Sequence, residues 1–199
     1  MKKILVGTGN EAKLSTYKNL LKDFGLEVVS SKDLNIPEPE ENAASFEEEA
    51  INKARYYFQK SGIPTVVDDG GLEIEALNGE PGIKSKRWIG REMTDEEIIA
   101  EVFKRMKGVP EDKRSCKHIV TLAVATPFGI LTSHGEIMGV VAEKPSDKRK
   151  PGYPYRSVMY LPNYKKFWID LSDDEEEILN HRKHAIEKIK DIFEEISKE

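Results

Sequence analysis

The chain opens with a short apolar run, Lys3-Ile4-Leu5-Val6, which stops at Gly7-Thr8-Gly9-Asn10 and gives way to Leu14, Tyr17, Leu21 and Phe24 at three- and four-residue spacing. This change of period across a tight glycine loop constrains the fold more than any other feature, because a helix with one apolar stripe needs another layer to cover it. Gly25 is placed to end the helix, and Leu26 to Val29 read as a second strand. Residues 35–44 are rich in Pro and Glu and read as irregular. Ser45-Phe46-Glu47-Glu48 then offers a capping box for a helix whose inner face is Phe46, Ala50, Ala54 and Phe58, with Gly62 at its end. Pro64-Thr65-Val66-Val67 reads as a buried strand that runs into Asp68-Asp69-Gly70-Gly71.

Beyond Leu72 to Ala76 lies a turn around Gly79-Glu80-Pro81-Gly82. A second capping box, Thr94 to Glu97, opens a helix with the stripe Ile98, Val102, Phe103 and Met106. The segment from Ile119 to Val141 is β-rich, with breaks at Pro127-Phe128-Gly129 and near His134-Gly135, and reads as an antiparallel meander. Ser172 with Glu175 gives a third capping box, after which Ile178, Ala185, Ile189 and Ile196 predict one amphipathic helix to the end. Strands and helices alternate first and cluster second. The expectation is one α/β or α+β domain over residues 1–199 with a mixed sheet.

Composition narrows the function classes. With 31 Lys+Arg against 36 Asp+Glu the formal charge is −5, which argues against a protein held to nucleic acid or anionic lipid by a basic surface. Cys116 is the only cysteine, so an intrachain disulfide framework and a multi-cysteine zinc site are excluded, and a reducing, cytoplasmic address is the default. Met-Lys-Lys-Ile-Leu-Val imitates the start of a signal peptide, but its apolar run ends at Gly7, and no stretch of about 18 apolar residues spans a membrane.

Four segments can carry chemistry. Thr8, Gly9, Asn10 and Lys13 sit where a strand hands over to a helix, a place where amides and the helix dipole favour an anion. The alternative is a tight turn that merely caps the helix. Asp68 and Asp69 end an apolar strand, where carboxylates suit a hard cation; strand geometry lets only one of them face a given side, and a plain Asp-Gly turn is the bland alternative. Pro37-Glu38-Pro39-Glu40-Glu41 by itself reads as a solvated loop. In Asn180-His181-Arg182-Lys183-His184 the paired histidines lack a third ligand, so Arg182 and His181 read as donors to a carbonyl or phosphate oxygen, with a plain mixed-charge helix surface as the alternative.

These segments, in this order, resemble the inosine/xanthosine triphosphate pyrophosphatase (ITPase) family over nearly the whole chain. The strongest match runs from Val67-Asp68-Asp69-Gly70-Gly71 through Gly79-Glu80-Pro81-Gly82-Ile83-Lys84-Ser85. Thr8-Gly9-Asn10 with Lys13, Ser45-Phe46 through Lys53-Ala54, and His181-Arg182 with Ala185 match further family motifs. The resemblance implies an ITPase-like α/β fold: an elongated, twisted mixed sheet with helices on both faces, and two lobes around a central cleft that form a single domain. It also implies a homodimer. The implied reaction is Mg²⁺-dependent hydrolysis of a purine nucleoside triphosphate such as ITP, dITP or XTP to the monophosphate and pyrophosphate. By the same resemblance Asp69, with Asp68, is the catalytic carboxylate; Glu40 and Asp69 hold the metal; and Thr8, Gly9, Asn10, Lys13, Lys53, Gly70, His181 and Arg182 bind substrate. A nucleotide-binding sensor of the same fold, without turnover, is the alternative reading.

The departures from the family fall in the base-recognition segment. Where the family has Gly-Phe-Gly-Tyr-Asp-Pro, this chain has Gly152-Tyr153-Pro154-Tyr155-Arg156-Ser157, and the family's lysine ahead of His181-Arg182 falls at Glu176. An acid has become a base and a base an acid. Gly70 and Asn180 replace serines and Thr16 replaces a glutamate. Tyr153, Tyr155, Arg156 and Glu176 are therefore expected to bind the base, with Arg156 and Glu176 as a charge-exchanged pair that alters base selection. An arginine fork donates to carbonyl and ring-nitrogen acceptors, whereas a carboxylate accepts from ring and exocyclic N–H groups.

Overall fold

A computed structural model describes residues 1–198. Among them the elements run β1 (Lys3–Val6), α1 (Glu11–Leu20), β2 (Glu27–Ser30), α2 (Phe46–Ser61), β3 (Thr65–Ile74), α3 (Asp95–Arg105), β4 (Ser115–Thr126), β5 (Gly129–Val141), β6 (Met159–Leu161), β7 (Lys166–Phe167), α4 (Asp173–Leu179), α5 (His181–Lys188) and α6 (Lys190–Lys198). The strands form one mixed sheet in the order β2-β1-β3-β4-β5-β6-β7. β1 pairs in parallel with β2 and β3, with Val6 opposite Ser30 and Val66, since the chain crosses back through α1 and then α2. The later strands pair in sequence order, β5 with β6 and β6 with β7 antiparallel, as a meander requires. No helix among the described residues is long and apolar enough to cross a membrane.

The chain forms two compact units. Unit 1 comprises Met1–Asp69, Val120–Gly135 and His181–Glu199, and unit 2 comprises Gly70–Ile119 and Glu136–Asn180. In unit 1 the strand period divides the core into two layers. Ile4, Val6, Val66, Leu122 and Val124 turn one way, onto Leu14 and Tyr17 of α1, Ala185 of α5 and Phe193 of α6. Leu5, Val67, Ala123 and Ala125 turn the other way, onto Ala50, Ala54 and Tyr57 of α2. The small residues on both sides of the second layer let α2 lie close to the sheet. In unit 2 the core gathers Leu72, Ile74, Ile98, Val102, Met106, Ile137 and Trp168. There Trp88 is buried, its indole N–H donating to Glu80 Oε2 at 3.0 Å beneath the Arg105 guanidinium.

Three expectations are corrected. Asp68 and Asp69 do not end their strand: β3, ten residues long, runs through Asp68-Asp69-Gly70-Gly71 unbroken. The bend expected near His134-Gly135 is absent, because Gly135 serves close packing within unit 1; a Cβ there would fall 2.0 Å from the His181 carbonyl oxygen. The single C-terminal helix is three. Asn180, in an extended conformation, ends α4 at the point where the chain leaves unit 2 for unit 1, and a turn at Ile189 separates α5 from α6. Of the capping boxes, those at Thr94 and Ser172 are complete. At Ser45 the hydroxyl accepts from the Glu48 amide, while the Glu48 carboxylate reaches back to the Ala44 amide instead.

Candidate active site

The same alternation that splits the unit 1 core decides where the two strand acids go. Asp68 follows Val66 to the α1/α5 face and Asp69 follows Val67 to the α2 face, so each acid meets a different set of cations. Asp68 is fully enclosed. Its Oδ1 accepts from Lys13 Nζ on α1 at 2.6 Å and its Oδ2 from Arg182 Nε on α5 at 2.6 Å. Burial alone would raise this carboxyl, but the two cations hold it well below the usual carboxylate range. The buried Tyr17 phenol, one helical turn after Lys13, is pushed up by desolvation and by the Asp68 charge.

Asp69 meets Lys53 of α2, whose Nζ lies 3.4 Å from Oδ1. Burial pushes the Asp69 carboxyl up to about 6 against the pull of Lys53 and Lys13, with Glu41 and Asp68 adding to the rise. Two adjacent acids thus acquire opposite tendencies: Asp68 stays ionised, and Asp69 exchanges a proton near neutrality. Lys53 also contacts Glu41 Oε1 at 2.5 Å and Glu49 Oε1 at 3.6 Å. Despite burial, its ammonium is held firmly charged by Asp69, Glu41 and Glu49.

The loop before α1 is a genuine cap. Asn10 Oδ1 accepts from the amides of Ala12 and Lys13, and Thr8 Oγ1 accepts from the Asn10 amide, which leaves Lys13 as the side chain that extends into the site. Gly9 permits the acidic run to come close: a Cβ there would fall 1.8 Å from Glu38 Oε1. Glu40 is exposed, its carboxylate accepting from Asn42 Nδ2 at 3.4 Å. The acids of this run that reach the loop and the lysine are therefore Glu38 and Glu41. His181 is buried in the first turn of α5, beside Arg182.

Gly70, Tyr153, Tyr155, Arg156 and Glu176 belong to unit 2. Arg156 Nη1 donates to Glu176 Oε1 in a short, partly buried ion pair. The guanidinium lies 4.9 Å from the Trp168 ring centroid and 5.2 Å from that of Tyr153, and its Nε is buried without a hydrogen-bond partner among the described residues. Tyr155 is part of the scaffold here: its hydroxyl donates to the Ser85 carbonyl at 3.2 Å. Sequence reasoning placed Arg156 and Glu176 together. It missed Glu49 and Trp168, and the usable signals were a Glu four residues before Lys53 on α2 and an aromatic residue at the end of β7.

Among known proteins, the profile of the Ham1 family matches residues 4–192. A dITP/XTP pyrophosphatase of Yersinia pseudotuberculosis is 35% identical over 196 residues, covering 97% of this chain and 98% of the relative. That of Escherichia coli K12 is 33% identical with the same coverage. A HAM1 protein of Coxiella burnetii has a similar solved structure, with a TM-score of 0.86 and 30% identity over 98% of this chain and all of that one.

Proposed function

The chain belongs to the Ham1 family, and from that premise and the geometry of β3 we propose that it hydrolyses purine nucleoside triphosphates between the α- and β-phosphates, giving a nucleoside monophosphate and pyrophosphate. The observation that carries this reading is the division of labour between the two strand acids. Asp69, on the α2 face beside Lys53, accepts the proton of the attacking water. Asp68 is the anchor that presents Lys13 and Arg182, cations suited to phosphate oxygens, from two different helices. The resemblance that makes this a nucleotide enzyme also supplies the α,β bond and the purine.

Magnesium fits the residues present. Glu41, Glu49 and Asp69 set three carboxylates against the single ammonium of Lys53, an excess of 3 − 1 = 2 negative charges made of hard oxygen donors. No group of three His, Cys, Asp or Glu among the described residues could hold a metal by itself, and Mg²⁺ generally takes only one or two carboxylates beside phosphate oxygens and water. Asp69 with Glu41, which meets the same lysine, or Glu38, which lies against Gly9, would hold it in preference to Glu40, whose carboxylate accepts from Asn42. When bound it neutralises phosphate charge and lowers the pKa of a coordinated water.

For the base, we assign selection to Arg156 and Glu176, supported by their contact and by the aromatic rings of Tyr153 and Trp168 against the guanidinium. An arginine fork beside a carboxylate suits a base with both a carbonyl and an exocyclic amino group, such as a guanine-like purine; hypoxanthine and xanthine lack that amino group. A homodimer and a cytoplasmic address go with this reading, and sedimentation velocity tests the former. The decisive assay is Mg²⁺-dependent pyrophosphate release across ITP, XTP, dITP, the standard dNTPs and modified purines. Preference for an amino-bearing base supports the assignment to Arg156 and Glu176, preference for ITP and XTP refutes it, and no release from any substrate refutes the reaction.

A further inference from the structure

Glu49 is a buried acid in the first turn of α2, with its side chain 4% exposed. Its Oε2 accepts from the Ala43 amide at 3.1 Å, which ties the acidic loop to the helix. Its Oε1 is buried with no hydrogen-bond partner, and lies 3.6 Å from Lys53 Nζ one turn further on. A buried carboxylate oxygen without a donor is costly unless a cation stands beside it. Here that cation is Lys53, which Glu41 and Asp69 also contact.

On the metal reading above, which this inference rests on, two of the three acids around Lys53, Asp69 and Glu41, are also those that would hold a divalent cation. Two cations are thus assigned to one set of carboxylates. We propose that Lys53 is a tethered counter-cation that holds Glu41, Glu49 and Asp69 together in the metal-free protein and is released when a divalent cation binds. Glu49 is the positioning residue that fixes the resting place of the lysine. It acts through Lys53 and touches no reacting atom. The ammonium then becomes available to phosphate oxygens only in the metal-loaded protein, and by linkage each cation weakens the other's hold on the cluster.

Calorimetric titration with Mg²⁺ and with Mn²⁺, in the absence of nucleotide, tests this on the wild type, Lys53→Gln and Lys53→Met. Both variants are expected to bind metal at least about tenfold more tightly than the wild type and to show a larger metal-induced rise in melting temperature, because a competing charge at contact distance is gone. Equal or weaker binding by the variants, with the wild type binding metal, overturns the tethered lysine and leaves the metal reading standing. No binding by any of the three overturns both. If the variants do not fold without metal, the wild type carries the test. Reductive methylation of Lys53, read by mass spectrometry, is expected to be slow in metal-free protein and faster with Mg²⁺, and an unchanged or slower rate overturns the inference. Glu49→Gln should speed that methylation in metal-free protein, and an unaltered rate removes Glu49 from its positioning role.

Discussion

Asp69→Asn is expected to abolish turnover and at the same time to raise the melting temperature of the metal-free protein at neutral pH. Burial moves the Asp69 carboxyl from 3.8 to about 6 in the folded chain, so the native state holds that proton more tightly than the unfolded one. The associated stability is fully present below about pH 4 and is lost as the pH rises through about 6, a difference of about 3 kcal/mol. Asparagine resembles the protonated acid and escapes this loss. For a domain of this size, about 3 kcal/mol corresponds to roughly 6–12 °C, which is the ceiling for the effect. Asp68 does not obscure it, because its own carboxyl is held ionised throughout this range. The assay is thermal melting by circular dichroism in EDTA at about pH 4.5 and about pH 7.5, beside pyrophosphate release with Mg²⁺. A melting temperature unchanged or lowered at the higher pH, or raised equally at both, would refute the placement of Asp69 in a desolvated pocket. Wild-type turnover would refute its role.

Asp68→Asn, one residue away, should do the reverse to stability. It leaves Lys13 and Arg182 without their buried counter-charge and is expected to cost about 3–5 kcal/mol in a denaturant melt, with a cost under about 1 kcal/mol counting against the anchor role. In unit 2, Arg156→Asp combined with Glu176→Lys should keep the ion pair and move the substrate profile toward ITP and XTP, whereas Glu176→Lys alone sets two cations side by side and should lower stability; an unaltered profile in the double variant removes the pair from base selection. Burial pushes the Cys116 thiol up to about 12, so the native protein should not react with a disulfide reagent at about pH 8 until it is unfolded. Gly135→Ala drives a methyl group into the His181 carbonyl and is expected to destabilise by about 2 kcal/mol or more, read by the same melts.

Local signals in the sequence carried much of this molecule. The strand-loop-helix opening, the caps at Asn10, Thr94 and Ser172, and the meander follow from short-range period, capping chemistry and turn residues, which depend on neighbours a few positions away. The resemblance to a nucleotide pyrophosphatase likewise lay in contiguous motifs, and so did the exchange of charge between Arg156 and Glu176. Where local reading went astray, a long-range contact had overruled it. Asp-Asp-Gly-Gly has the composition of a turn, yet it lies within β3, a ten-residue strand of the sheet that runs on past the end of its pairing with β1 at Val66. Gly135 looks like punctuation, yet it is small because the backbone of α5 lies against it.

The sequence by itself determined which residues were available for chemistry: two adjacent acids, two lysines on successive helices, a late arginine and an acidic run. Only the tertiary structure decided what each of them is. The strand period sends Asp68 and Asp69 to opposite faces, but which cations wait on those faces depends on α1, α2 and α5, which are brought there from sequence separations of 55, 16 and 114 residues. The same is true of the acidic run, where Glu38 and Glu41, on either side of Glu40, are the ones drawn to the loop and the lysine. A carboxylate's protonation follows from its burial and from the charges within a few ångströms, and neither is a property of its neighbours in the chain.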